Sequence, residues 1–321
     1  MYWQARALNR GVWKPREAVE VWEKCVPLFE AANDLPGLCD TLNNIADHRL
    51  GRGEFTTMLP LTSRAIALAE KIADPGRLAL NLGTMSEYAY LSGDWQQARS
   101  GFERVLSLLR EAGSQNGLVW PILCDLGHLL LVTGAEAEGL AMLKEAAAHD
   151  QIAVGEVGRI LAERDLLEGR PEDAVARFAA MPTNTGNDWP IADIVTDGMP
   201  WLAWANLALG REEQGITALQ AHMERCPPES SAMAEAQYVA GMLALLRGHY
   251  EDARATLDAA LALCVRAPYP YFEAKALYAY GQVCAAEGDT MQARLRYEEA
   301  LSILARVGER MYADHIERAL Q

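Results

Sequence analysis

One skeleton recurs along this 321-residue chain, and it constrains the fold more than any other feature. A glycine is followed by a short polar turn, a small residue five positions later and a bulky residue four positions after that, as in EGDTMQARLRYEEAL and RGHYEDARATLDAAL. The spacings between successive glycines are 40, 41, 35, 41, 38 and 40 residues, for Gly53, Gly93, Gly134, Gly169, Gly210, Gly248 and Gly288. A repeat of this length, with room for two helices, predicts a solenoid.

Each part of the skeleton has a physical role in a helix–turn–helix unit. The glycine ends the first helix in a left-handed conformation that a Cβ would oppose. The polar residue after it caps the second helix, as in Gly93-Asp94 and Gly288-Asp289. The small residue then lets the two helices approach, and the bulky residue lies one turn further along the same face. These two positions hold Ala98, Ala174, Ala253 and Ala293, and Phe102, Phe178, Leu257 and Tyr297.

The repeats resemble tetratricopeptide (TPR) repeats lengthened by several residues. The last unit fits best, through Leu277, Gly281, Gly288, Asp289, Ala293, Tyr297 and Ala300, whereas Met58, Thr62 and Gly215 depart from the pattern. The resemblance implies an all-α, right-handed superhelical solenoid, and we predict seven complete helix pairs in one domain, 1–321. Residues 1–36 would form a partial first repeat, 37–301 the repeats, and 302–321 the end of the last helix and a capping helix.

A narrower resemblance lies in the long joints TLNNIADHRLGRGEF and YPYFEAKALYAYGQVCAAEGD. They are similar to the C-terminal sensor region of bacterial signal-transduction ATPases with numerous domains (STAND), including LuxR-type and maltose-activator-like transcription regulators. The chain contains no GxxxxGK[ST] motif and no helix-turn-helix with a basic face. The resemblance therefore implies a sensor portion whose partner is an ATPase or DNA-binding module, in cis or in trans.

Composition and motifs exclude several classes of function. The 44 acidic residues against 29 basic ones, a net charge of −15, argue against direct binding of nucleic acid. No apolar stretch is long enough for a membrane span, and the N-terminus does not resemble a signal peptide. Six scattered cysteines without a CxxC pair indicate reduced thiols in a cytoplasmic protein. The sequence also lacks catalytic, metal-ligand and cofactor motifs, so we expect a protein that is not an enzyme and binds no metal and no cofactor.

The first helix of each TPR pair lines the concave face. We therefore take the concave-facing positions of the last repeat and project them onto the other repeats to predict ligand contacts. The predicted ligand- or peptide-binding residues are Asn43, Asn44, Asp47, Glu87, Tyr90, His128, Arg159, Glu163, Asp197, Trp201, Trp204, Tyr238 and Tyr278. The same projection puts Cys124, Glu156, Glu235 and Lys275 on this stripe. Carboxylates beside aromatic rings suit a cationic or amphipathic guest. The alternative is that the charges form an ordinary solvated face.

One segment interrupts the repeat, and two functions stay open. The stretch 181–204, MPTNTGNDWPIADIVTDGMPWLAW, combines two prolines, three aspartates and three tryptophans, and irregular segments inside regular arrays are often functional. We predict that it forms a pocket wall. The chain is then either a sensor module that binds a small-molecule effector in the concave groove, or a scaffold that binds an extended peptide. In the second case Asn44 would hold the peptide backbone, because an amide both donates and accepts hydrogen bonds.

Overall fold

The computed structural model describes Tyr2 and residues 15–111, 119–149, 151–179 and 199–321. These residues form sixteen α-helices of nine residues or more and no strand. The helices are α1 (Pro15–Ala31), α2 (Leu35–Leu50), α3 (Phe55–Lys71), α4 (Pro75–Leu91), α5 (Trp95–Glu111), α6 (Val119–Val132), α7 (Glu136–His149), α8 (Gln151–Leu167), α9 (Pro171–Ala179), α10 (Met199–Ala208), α11 (Glu212–Arg225), α12 (Ser231–Leu246), α13 (Tyr250–Arg266), α14 (Pro270–Ala286), α15 (Thr290–Val307) and α16 (Met311–Ala319).

The helices pack as consecutive antiparallel pairs, α2 with α3 through α14 with α15, and α16 closes the array. The predicted all-α solenoid is thereby confirmed. All seven repeat glycines have a positive φ, between 71° and 88°, as the pattern requires. The predicted caps are present as well, because the backbone N–H of Gln97 donates to Asp94 and that of Gln292 to Asp289, both at 3.0 Å.

The small residue of the skeleton lies where two paired helices touch. Ala98, Ala174 and Ala253 are fully buried at this position. Two units carry glycine there instead, and a Cβ on Gly139 or Gly215 would lie 2.7 Å from a backbone carbonyl oxygen of the partner helix. The departure of Gly215 from the repeat pattern therefore reflects a closer helix approach than alanine permits.

The superhelix closes on itself, which the repeat pattern does not predict. The first glycine turn meets the C-terminal half, since a Cβ on Gly53 would lie 2.4 Å from the carbonyl oxygen of Glu229. The ring of Phe55 contacts that of Tyr269 edge-on, with centroids 5.6 Å apart. Further along, the backbone N–H of Arg310 donates to Val132 O at 2.7 Å. The C-terminal pairs thus pack against the turns of the N-terminal pairs, and they enclose part of the concave face.

Three structural findings concern membrane spans, metal sites and cysteines. None of the described helices is both long and apolar enough to cross a membrane. The described residues contain no group of three or more side chains placed to bind a metal ion. All six cysteines are free thiols, and only Cys226 is partly accessible.

Candidate ligand-binding chamber

The covered part of the concave face contains a half-open cavity of about 240 Å³, here called the acidic chamber. Six helices contribute side chains to its lining: Glu87, Tyr90, Leu91, Asp125, His128, Glu156, Arg159, Ile160, His222, Ser231, Ala232, Glu235, Tyr271, Phe272 and Lys275. A side cavity of about 160 Å³ adjoins it, shares Glu87 and Asp125 with it, and extends to Asp47 on α2. Most lining residues come from first helices, at the spacing of three or four that keeps side chains on one face.

Carboxylates outnumber cations in the lining, and the two cations are already engaged. The guanidinium of Arg159 lies 2.7 Å from Glu156 on its own helix and 3.5 Å from Glu235 on α12. The ammonium of Lys275 lies 2.6 Å from Glu163, a fully buried residue. Among the described residues, no side chain forms an ion pair or hydrogen bond with Glu87 or Asp125. These two carboxyl groups therefore face the chamber without a cationic partner.

The pKa shifts of the same carboxylates follow from this crowding. Burial, helped by the negative charge of Glu156 and opposed by Arg159, raises the pKa of Asp125 to about 7. Burial, and then the charges of Asp125, Asp47 and Glu156, raise the pKa of Glu87 well above its usual range. Glu87 is still open to the solvent of the chamber, which tempers the effect of the surrounding protein. A cation in the chamber would stabilise the ionised form of both groups.

Two buried side chains in the lining carry polar atoms without a hydrogen-bond partner among the described residues. His128 is 8% exposed; its Nδ1 lies 3.3 Å from the hydroxyl of Tyr90, whereas its Nε2 has no partner. Burial and the nearby Arg159 and Lys275 lower the pKa of His128 well below its usual value, so the imidazole is neutral. Tyr271 is 3% exposed, and its hydroxyl has no partner either. Buried polar atoms normally find a partner, so these two atoms leave unmet hydrogen-bonding capacity in the wall of the chamber.

Below the chamber, Lys275 is held in an aromatic cage. Its ammonium lies 4.2 Å from the ring centroid of Tyr271, 5.1 Å from that of Phe272 and 5.4 Å from those of Trp201 and Tyr312. The hydroxyl of Tyr312 donates to the same Glu163 oxygen that pairs with Lys275, at 2.7 Å. The cage therefore joins α8, α10, α14 and α16, and it belongs to the closure of the superhelix.

Several predicted site residues do lie on this surface. Glu87, Tyr90, His128 and Arg159 line the chamber, and Asp47 lines the side cavity. Asn43 is buried beside the side cavity, where its oxygen accepts a hydrogen bond from Thr84 at 3.4 Å. The amide of Asn44 is half-buried and donates to the carbonyl oxygen of Asp40 one turn earlier, at 2.7 Å. Its role in holding a peptide backbone stays a prediction.

Other predicted residues occupy a different position from the expected groove wall. Glu163, Trp201, Trp204, Tyr238 and Tyr278 are all buried in the core, with exposures of 0–7%. The three rings of Trp201, Trp204 and Tyr238 pack together with centroids 6.0–6.1 Å apart. The reasons differ: the tryptophans pack on Tyr238 of the next pair, and Tyr278 packs on Tyr297 of its own pair and on Tyr312 of α16. Only Glu163 is covered through closure, by Lys275 and Tyr312. Asp197 and most of the predicted pocket wall, 181–198, lie outside the described residues.

The sequence reasoning missed Asp125, His222, Ser231, Tyr271 and Phe272. Asp125 was missed by one position, since the projection selected Cys124, which is buried in the core. A shift of one residue turns a helical side chain by about 100° and so exchanges core for chamber. Tyr271 could have been found one turn before Lys275, whereas His222 lies on a second helix, which the concave-face rule does not consider.

Comparisons with known proteins show the fold. No protein-family model matches the sequence, and no curated protein matches it. Among solved structures, the chain is similar to a Rap protein complexed with competence and sporulation factor, at 12% identity and a TM-score of 0.60, with 95% of this chain and 96% of that chain covered. It is also similar to a chain of the APC/C hetero-tetramer Cut9–Hcn1, at 14% identity and a TM-score of 0.56.

That second match covers 96% of this chain but only 53% of the other, so this chain spans about half the length of its counterpart. At such identities the likeness concerns the backbone alone. It agrees with the glycine turns, the paired helices and the close helix contacts described above. The chain has the fold of TPR-like helical repeat proteins.

Proposed function

We propose that this chain is a non-catalytic interaction module that binds a positively charged segment of a partner protein on its concave face. One observation carries the proposal: two carboxyl groups of the chamber lining, Glu87 and Asp125, have no cationic partner among the described residues, and a cation would stabilise their ionised form. A basic segment would offset the repulsion between carboxylates that the fold itself leaves in place. Acidic surfaces also steer cationic partners toward them and raise the rate of association.

The shape of the surface supports a segment rather than a single ion. The chamber and the side cavity meet at Glu87 and Asp125, so the lining continues from Asp47 on α2 to Lys275 on α14. Both similar structures are themselves assemblies, Rap with competence and sporulation factor and Cut9 with Hcn1. TPR-type solenoids present extended concave surfaces of this kind to their partners.

A second candidate is a sensor for a small cationic effector in a STAND- or LuxR-like regulator, and the closure of the superhelix favours it. The chamber lies between helices of both halves, α4, α6 and α8 on one side and α12 and α14 on the other. A ligand that binds one arrangement of these halves better than another would shift the population toward it. Such a shift would change the contacts with an ATPase or DNA-binding module.

Fluorescence anisotropy with a labelled peptide of about twelve residues and four arginines tests the proposal. The same peptide with citrulline at all four positions keeps the shape and removes the charge. We expect binding only of the arginine peptide, weakened by added salt and by at least about tenfold, or about 1.4 kcal/mol, in Glu87→Gln/Asp125→Asn. The matched control is Glu70→Gln/Asp258→Asn, which makes the same two amide substitutions at exposed positions on second helices. Equal binding by both double variants would contradict the proposal.

A further inference from the structure

The lining of the acidic chamber holds two cationic side chains, Arg159 and Lys275, in two different ways. It also contains two carboxyl groups that have no cationic partner among the described residues. In the first way, the planar guanidinium of Arg159 bridges carboxylates of two helices, Glu156 and Glu235. In the second, the ammonium of Lys275 pairs with one carboxylate inside an aromatic cage. Glu87 on α4 and Asp125 on α6 are likewise two carboxyl groups on different first helices of the same lining, but no guanidinium of the described residues pairs with them.

We propose that Glu87 and Asp125 form a subsite for one guanidinium group of the bound partner, an arginine side chain inserted into the chamber. The inference rests on the proposed function and names the chemical group that the site selects. A guanidinium offers five N–H donors in a fixed plane, enough to reach two carboxylates on separate helices at once. An ammonium offers three donors from one point, and this geometry suits the single carboxylate that already holds Lys275.

An independent observation also points to a ligand here. Nε2 of His128 and the hydroxyl of Tyr271 lie in buried side chains of the same lining, and neither atom has a partner among the described residues. The neutral imidazole can accept a hydrogen bond at Nε2 when Nδ1–H donates to the hydroxyl of Tyr90, 3.3 Å away. A guanidinium has donors left over after it has met two carboxylates. The subsite thus matches the ligand in charge and in hydrogen-bond acceptors.

The aromatic residues of the lining complement the planar shape of a guanidinium. Tyr90, Tyr271 and Phe272 all contribute to the chamber wall. The ring of Tyr90 is fixed by stacking on Trp95, with centroids 5.6 Å apart and planes 7° from parallel. Guanidinium planes stack on aromatic faces, and an enclosed position strengthens this contact. A volume of about 240 Å³ admits one such side chain and leaves the rest of a segment to the side cavity.

A citrulline scan separates this subsite from general attraction to an acidic surface. Each of the four arginines in the labelled peptide is replaced singly by citrulline, and by lysine in a second series. We expect one position to dominate, with a loss of at least about tenfold for citrulline and a smaller loss for lysine. In Glu87→Gln/Asp125→Asn that positional loss should disappear, whereas Glu70→Gln/Asp258→Asn should retain it. The scan on the parent protein needs no variant, so the test survives if a variant fails to fold.

Agmatine, a small molecule with one guanidinium and one amine, distinguishes the source of the group, and putrescine, with two amines and no guanidinium, is its control. Competition by agmatine and one dominant peptide position together support the inference. A flat scan with equal small losses overturns the subsite while the proposed function stands. Binding of agmatine without any peptide, lost in Glu87→Gln/Asp125→Asn, supports the subsite and overturns the protein segment as its source. Binding of neither probe overturns both.

Discussion

The buried ion pair between Lys275 and Glu163 allows a direct test of how the superhelix is closed. Lys275 lies on α14 and is 1% exposed, and Glu163 lies on α8 and is fully buried. Their charged atoms are 2.6 Å apart, and Tyr312 of α16 donates a second hydrogen bond to the same carboxylate oxygen. The pair therefore joins the fourth helix pair, the seventh pair and the closing helix.

The magnitude follows from this geometry. At 2.6 Å and an effective dielectric constant of about 20, the attraction between the two charges is about 6 kcal/mol, which the desolvation of both ions largely offsets. The intact pair adds little net stability, but removal of one partner leaves the other charge buried and alone. We expect Lys275→Met or Glu163→Gln to lower the free energy of unfolding by about 3–5 kcal/mol. The double variant should recover most of this loss.

Urea unfolding at pH 7, followed by circular dichroism and by tryptophan fluorescence, measures the four corners of this double-mutant cycle. The exposed pair Arg294–Glu298, at 2.8 Å, provides the matched control, and Arg294→Met and Glu298→Gln should each cost less than about 1 kcal/mol. A Lys275→Met protein within about 1 kcal/mol of the parent would refute the reasoning. So would a double variant less stable than either single one.

Three further predictions concern packing and pH. Gly139→Ala and Gly215→Ala should each lower the stability by about 1–3 kcal/mol in thermal melts, because the added Cβ would lie 2.7 Å from a backbone carbonyl oxygen. Gly76→Ala is the control, and it should change the stability little because the nearest atom to its Cβ would lie at 3.4 Å. Trp204→Ala should cost about 3–5 kcal/mol, since the ring is buried; an unchanged melting temperature would restore its predicted role at the surface. The folded-state pKa of Asp125, about 7, lies above the usual value near 3.9, so this carboxyl lowers stability progressively as pH rises from about 4 to 7. Asp125→Asn should therefore gain stability over the parent between pH 5 and pH 8, and a constant difference in melting temperature would contradict the shift.

Much of the fold could be predicted because each repeat is a local structure. The glycine at each turn, the cap after it and the small residue five positions later interact within a single helix pair. Closure is different, because the glycine turn at Gly93 meets Pro270 and Val307, residues far away in the sequence. Small rotations between successive units add up along the array, and their sum decides which distant turns touch. No motif in the sequence carries that sum.

The site could be predicted only where closure leaves a first helix open. Glu87, Tyr90, His128 and Arg159 were found because the spacing of three or four marks the concave face. Glu163 has the same spacing and the same polar character, one turn beyond Arg159, yet it is buried. The difference arises from Lys275 and Tyr312, which belong to other units and reach Glu163 only in the closed superhelix. The sequence spacing therefore does not distinguish a charged residue that stabilises the fold from one that faces a ligand.

The carboxyl groups of the concave face fall into two groups, those with a cationic partner and those without one. Glu156, Glu163 and Glu235 all have a cationic partner, whereas Glu87 and Asp125 have none among the described residues. Uncompensated carboxylates in an enclosed site cost stability, and amide side chains of the same size would avoid that cost. If the two carboxylates served the fold alone, Glu87→Gln/Asp125→Asn would stabilise the protein at no functional loss. We expect the same double variant to have a higher free energy of unfolding above pH 7 and to bind the arginine peptide more weakly. The same two side chains would then lower stability and bind the partner.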